Sequence, residues 1–221
     1  MVFKGFKKVF LLMMSALICL GYRSYPGTLG WSLNSSTTAG RKVFITLISS
    51  GKLMENNLPT TDVMGSAGTT LTETQLLQSV IDDYNSIQRS NLIFALDTDA
   101  DYAANNLNHR IEIEEASASG VSSGEAQPVF LGQSIIGCKI RLTSKVFDSA
   151  KAYVSLVTHE LGHCIGLEHP QETVWSVMSY FFHEDVYRLA IDDKMGIVHL
   201  YPKDPLDARE KATLGLSCAP Q

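Results

Sequence analysis

Apolar positions recur along this chain with two different periods, and the alternation between them outlines the fold. Val43–Ile48 (VFITLI) is an almost unbroken apolar run between polar flanks, the pattern of a buried strand. From Thr72 to Ile87 the period lengthens. Leu76, Leu77, Val80, Ile81, Tyr84 and Ile87 share one helical face, and Thr72 with Gln75 forms a capping-box pair at its start. Asn91–Leu96 reads as a strand, and His109–Glu115 alternates Ile111 and Ile113 with charged neighbours. Val129–Leu131 and Ile135–Thr143 are further strands, with a short strand-like piece at Trp31–Leu33. A second helix starts from a cap at Asp148 or Ser149 and runs through Tyr153, Val154, Leu156 and Val157 to Gly166. A third covers Ala190–Tyr201 and stops at Pro202. Residues 51–70 and 116–127 read as surface loops. Strands and one helix come first, then a long helix, then a helical end. That order predicts an α/β (α+β) fold with a mixed sheet and two long helices.

Composition narrows this without changing it. The 221 residues are 45% hydrophobic and 19% charged, a balance that permits one sizeable core. The formal charge is −5, and no basic run follows the first ten residues, so nothing predicts a nucleic-acid partner. Lys4, Lys7 and Lys8 precede an apolar run, Val9–Leu20. That run is shorter than the roughly 20 residues a spanning helix needs. It predicts a secretory signal over residues 1–21, cleaved after Gly21, and hence an extracellular or periplasmic protein with no transmembrane span in the mature chain. Lipid attachment at Cys19 and a retained anchor are the rival readings. The expected division is a signal over 1–21, one domain over 22–205 and a tail over 206–221.

Export permits a disulfide. Cys138, Cys164 and Cys218 remain after cleavage, so one internal bridge at most can form. Cys138–Cys164 is the favoured pair because Cys138 lies on a strand leading toward the helix that carries Cys164. Cys164–Cys218 and no bridge stay open.

The chemistry concentrates in HELGHCIGLEHPQETVWSVMSY, residues 159–180. His159 and His163 lie four apart, so on a helix both imidazoles reach one side of it. Gly166 can end the helix and turn the chain, bringing His169 back toward the same point. Three neutral imidazoles around one ion with an open fourth position describe a catalytic zinc site. Glu160, beside His159, is placed to act as general base toward a water there. Cys164 follows His163 directly and points about a quarter-turn away, so it is a poor ligand candidate.

This segment resembles the metzincin zinc peptidases, on their matrixin and serralysin side. The resemblance implies a metzincin-like twisted sheet with an active-site helix, a second long helix packed on the sheet and a C-terminal helix. It implies His159, His163 and His169 as zinc ligands and Glu160 as the catalytic glutamate. Met178 takes the place of the Met-turn methionine, an apolar floor beneath the metal. Ser176–Phe181 (SVMSYF) and the His169–Pro170 pair are similar to serralysins, whereas the eight residues between His169 and Met178 are a short link closer to matrixins. Tyr180 falls where a tyrosine binds zinc in resting serralysins and astacins and then hydrogen-bonds the transition state. A wall of the substrate pocket is its other reading. Asp192 and Asp193 match acids that buttress the site in matrixins, or they simply suit a helix N-terminus.

The function this implies is a secreted zinc-dependent endopeptidase, monomeric, acting on protein or peptide substrates. An extended substrate would pair with an edge strand near Val121–Leu131. A zinc hydrolase of a non-protein or cell-wall amide, and a non-catalytic zinc-bound binding protein, are the alternatives. One catalytic Zn2+ is expected. His109 is the only histidine ahead of the motif, so no second zinc is predicted. Asp97, Asp99 and Asp101 offer oxygens for Ca2+, but the spacing of a calcium loop does not follow them, and a solvated acidic loop is expected instead. His183 and His199 read as surface or packing residues, and Phe181 and Phe182 as cleft wall or core.

Overall fold

The structure, a computed structural model, describes residues 23–24, 30–33, 42–48, 71–97, 109–116, 123–143, 149–170, 173–181 and 185–204. The expected signal over 1–21, the tail over 206–221, Cys19, Cys218, Asp99, Asp101, Asp148, Phe182 and His183 lie outside the described residues. The elements run β1 (Arg23–Ser24), β2 (Gly30–Trp31), β3 (Lys42–Leu47), α1 (Glu73–Asn85), β4 (Ile93–Leu96), β5 (Arg110–Glu115), β6 (Gly124–Leu131), β7 (Ser134–Leu142), α2 (Ala150–Cys164), β8 (Leu167–Glu168) and α3 (Ile191–Leu200). No described helix is long and apolar enough to cross a membrane.

The main sheet is mixed and mostly parallel. β3 lies between β4 and β5, β5 pairs with β7, and β2 pairs with the start of β7, all in parallel. Parallel neighbours need a crossover, and α1 supplies the one between β3 and β4. β6 runs antiparallel along β7 through a tight turn at Gly132, whose φ of +63° suits glycine. Among the described residues β6 pairs with no other strand, so it forms an edge of the sheet.

The periodicity finds its physical cause in the core. Ile111 and Ile113 of β5 are fully buried, as are Val43 and Ile45 of β3. Leu76, Leu77, Val80, Ile81 and Tyr84 of α1 pack with Val154, Val157 and Leu161 of α2 in the same core. Thr72 caps α1 in both directions. Its Oγ1 accepts from the Gln75 amide (3.3 Å), and its own amide donates to Gln75 Oε1 (2.9 Å). The cap of α2 is Ser149, whose Oγ accepts from the Ala152 amide at 3.1 Å. Tyr84 Oη donates to the Thr158 carbonyl at 2.8 Å and so ties α1 to the turn of α2 that begins the motif. Cys138 of β7 and Cys164 of α2 are joined in a disulfide, their Cα atoms 5.5 Å apart.

Three expectations are corrected or narrowed. The loop expected over 116–127 gives up Gly124–Gln127 to β6, where they pair with Lys139–Leu142. Gly-Glu-Ala-Gln has little intrinsic strand preference, and the long β7 partner overrides it. Asp97 is no solvated loop residue. Its side chain is buried, ion-paired with buried Arg110 at 2.9 Å, and accepts from Thr46 Oγ1 at 2.8 Å. Phe181, weighed for the core, is exposed.

Candidate metal centre

α2 delivers two of the three histidines, and the turn behind it delivers the third. His159 and His163 project from the last turns of α2. Gly166, with φ at +98°, takes the chain out of the helix into β8, and His169 follows directly. The free carbonyls at the helix end are not left to chance. Trp31 Nε1 of β2 donates to the Cys164 carbonyl at 2.9 Å, and Tyr201 Oη, just after α3, donates to the Ile165 carbonyl at 2.7 Å. The same Tyr201 hydroxyl accepts from the Trp31 amide at 3.0 Å. Satisfied carbonyls fix the direction of the turn and therefore the position of His169.

The three Nε2 atoms converge, with separations of 3.1, 3.1 and 3.2 Å. The Nδ1 atoms of His159 and His163 face carbonyl oxygens, Val177 O at 2.7 Å and Leu167 O at 2.9 Å. A carbonyl only accepts, so each Nδ1 carries the proton and each neutral ring presents a bare lone pair at Nε2. Lone pairs facing one another satisfy nothing by hydrogen bonding, whereas a cation between them satisfies all of them. Zinc bound tetrahedrally at 2.0–2.1 Å to nitrogen requires nitrogens about 3.3 Å apart, close to the spacing present. The donor set therefore fits zinc.

The electrostatics agree. Burial lowers all three imidazoles, taking His163 down to about 3 and His169 to about 4, with the neighbouring His159 adding to both. The rings are neutral at pH 7, the form that ligates metal.

Glu160 stands beside this cluster, only 5% exposed. Burial pushes its carboxyl up to about 7, opposed by a hydrogen bond from the Ala126 amide of β6 and supported by the charge of Glu125. The edge strand and the motif helix thus meet at this side chain.

The Met-turn lies on the other side. Met178 is buried and packs on Gly162, between the two helical histidines, so tightly that a Cβ at 162 would overlap its sulfur. Asp193 of α3 fastens that turn. Its buried carboxylate accepts from Ser176 Oγ, from the Val177 amide at 3.0 Å, and from the Ala190 amide at 2.8 Å. Burial raises its pKa and these bonds pull it back. Since Val177 O holds His159, Asp193 reaches the metal centre through one residue of backbone. Of the two acids singled out in the sequence, Asp193 is buried in the turn and Asp192 is partly exposed.

Tyr180 is 70% exposed, its ring laid against that of His169 with centroids 3.8 Å apart and planes tilted by 31°. Trp31, Tyr201, Gly162 and Ala126 were not legible as site residues. Their parts are a hydrogen bond to a helix end, an absent side chain and a backbone amide, none of which has a sequence signature.

The sequence also matches a known family. No curated protein matches the sequence significantly. Among solved structures, a chain of the ECX AB5 holotoxin in its GM1-bound form is similar at a TM-score of 0.52 and 9% identity, over 89% of this chain and 97% of that one. Myroilysin is similar at a TM-score of 0.39 and 12% identity, over 74% and 93%. The zinc-protease hatching enzyme of the medaka fish Oryzias latipes is similar at 0.41 and 13%, over 82% and 98%. The sequence model of the matrixins matches residues 78–202, from α1 to the end of α3 and through the whole metal centre. The chain belongs to the matrixin family of metallopeptidases.

Proposed function

We propose that this chain is an exported zinc-dependent endopeptidase that hydrolyses peptide bonds with Glu160 as general base. The observation that carries the reading is the convergence of three lone-pair-bearing Nε2 atoms beside a buried carboxylate. His159, His163 and His169 would hold the ion. Zinc bound there supplies Lewis acidity, acidifying a water and polarising the scissile carbonyl. Glu160 accepts a proton from the attacking water on its carboxylate and returns it to the leaving nitrogen. A carboxyl near neutrality suits both transfers, although a divalent cation nearby would draw it down from its metal-free value of about 7. Met178 gives the site an apolar floor, and Asp193 keeps that floor and His159 in register.

An extended peptide is expected to pair with β6, the edge beside Glu160. The exposed Val129, Phe130 and Leu131 of β6 and the exposed Trp175 and Phe181 after His169 offer apolar surface for its side chains. Tyr180 is assigned the transition-state hydrogen bond, which its place against His169 supports. The reading takes the enzyme to be a monomer cleaved after Gly21.

The test is hydrolysis of denatured casein by purified protein with and without a chelator. Chelator-sensitive cleavage restored by zinc is expected. Release of cell-wall peptides with casein left intact would redirect the reading to a non-protein amide. Tyr180→Phe is expected to lower kcat while sparing KM, and an unchanged kcat would make Tyr180 pocket wall.

A further inference from the structure

The edge strand meets the motif helix at a glycine. A Cβ built on Gly124 would lie 2.8 Å from Glu160 Oε1, 3.2 Å from its Cδ and 2.9 Å from Leu156 Cδ1. The first and last of these distances are shorter than real Cβ contacts. Gly124 begins β6, and two residues on the amide of Ala126 donates to the same Glu160 carboxylate. β6 and Glu160 therefore meet twice, through the Ala126 amide and where the carboxylate takes up room that a side chain at 124 would need. Gly124 does not need its glycine for backbone freedom, because its φ lies outside the left-handed region. Space is what it provides.

Resting on the reading of Glu160 as general base, we propose that Gly124 is a positioning residue whose missing side chain lets the carboxylate of Glu160 sit against the edge strand. The atoms a methyl group would strike are the ends of two side chains, not backbone. Side-chain ends move at small energetic expense, while β6 is held by its ladder to β7 along Gly124–Leu131. A methyl at 124 is thus expected to displace Glu160 and spare the fold. A misplacement of about 1 Å at a reacting group can cost on the order of 100-fold in rate. The same methyl on Gly137 of β7 would meet only ordinary contacts, Val129 Cβ at 3.9 Å and Arg110 O at 4.0 Å, which makes that position a control.

The experiment compares the full chain with Gly124→Ala, Gly137→Ala, and Gly124→Ala combined with Leu156→Ala, which removes the other obstructing side chain. Zinc content, thermal midpoint, and kcat and KM on a peptide are read for each. Gly124→Ala is expected to keep its zinc, to melt within a few degrees of the parent and to lose roughly 10- to 100-fold in kcat with little change in KM. Gly137→Ala should resemble the parent. Leu156→Ala removes packing against the core and so carries its own loss of stability, but it should not restore kcat, because Glu160 stays displaced. Full kcat in Gly124→Ala overturns the proposal, as does a kcat loss that Leu156→Ala reverses. A wild-type protein that hydrolyses nothing would instead overturn the enzymatic reading, so the two failures are distinct.

Discussion

At the scale of single residues, the metal centre is defined less by its histidines than by what holds them. The spacing of His159, His163 and His169 announces a shared ion, and the convergence of their Nε2 atoms follows from helix geometry and the Gly166 turn. Their orientation comes from carbonyls that no motif names. Val177 O holds His159, and Val177 is itself fixed by Asp193. Asp193→Ala removes the acceptor for Ser176 Oγ and the amides of Val177 and Ala190 in a buried place. Loss of hydrogen bonds to a charged acceptor with the donors left unpaired costs on the order of 3 kcal/mol. The expected outcome is a urea midpoint lowered accordingly and faster zinc loss to a chelator, because His159 loses its guide. Unchanged zinc retention would show that Val177 holds its place without Asp193.

At the scale of elements, periodicity carried the helices and the buried strands and failed where a partner decides the structure. α1 and α2 follow from one apolar face each and from caps at Thr72 and Ser149. The start of β6 does not, because Gly124–Gln127 become strand only by pairing with β7. β1 and β8 are two residues each, too short for any period, yet their pairing sets Arg23 and Ser24 against the segment before His169. The link between β7 and α2 is covalent, Cys138 to Cys164, across 26 residues. A bridge closing a loop of that size contributes about 3 kcal/mol by restricting the unfolded chain. Cys138→Ala with Cys164→Ala is expected to lower unfolding free energy by about that amount, read by urea titration under non-reducing conditions. An equal loss on adding reductant to the wild type would tie the effect to the bond, whereas a double variant as stable as the parent would contradict it.

At the scale of the whole molecule, three distant parts of the chain converge on the end of α2. Trp31 from β2, Tyr201 from the end of α3 and Cys138 from β7 all hold the segment that presents His169. The fold class could be read from the order of strands and helices. Of this convergence only the Cys138–Cys164 bridge could be, since the rest hangs on a tryptophan and a tyrosine that look like ordinary core residues. Burial of the centre also makes the metal-free protein sensitive to acid. His163 and His169 are lowered to about 3 and about 4, and His159 is lowered as well, all from 6.5. Below about pH 6.5 the unfolded chain binds more protons at these rings than the folded one, so they destabilise the fold as pH falls toward about 4. Glu160, raised from 4.5 to about 7, has the opposite sign, since its folded form keeps a proton that the unfolded form releases across that window. Asp193, also raised by burial, shares that sign, and three imidazoles outweigh two carboxyls. The thermal midpoint of zinc-stripped protein is therefore expected to rise from pH 5 to pH 6.5, and a flat or falling profile would contradict the neutral-ligand assignment. The most direct test of the account as a whole is a paired measurement on Glu160→Ala and the wild type: zinc bound per chain, and casein cleavage. The account predicts equal zinc in both and a loss of cleavage of about 100-fold or more in the variant. Cleavage by the variant at the wild-type rate, with the same zinc, would contradict it.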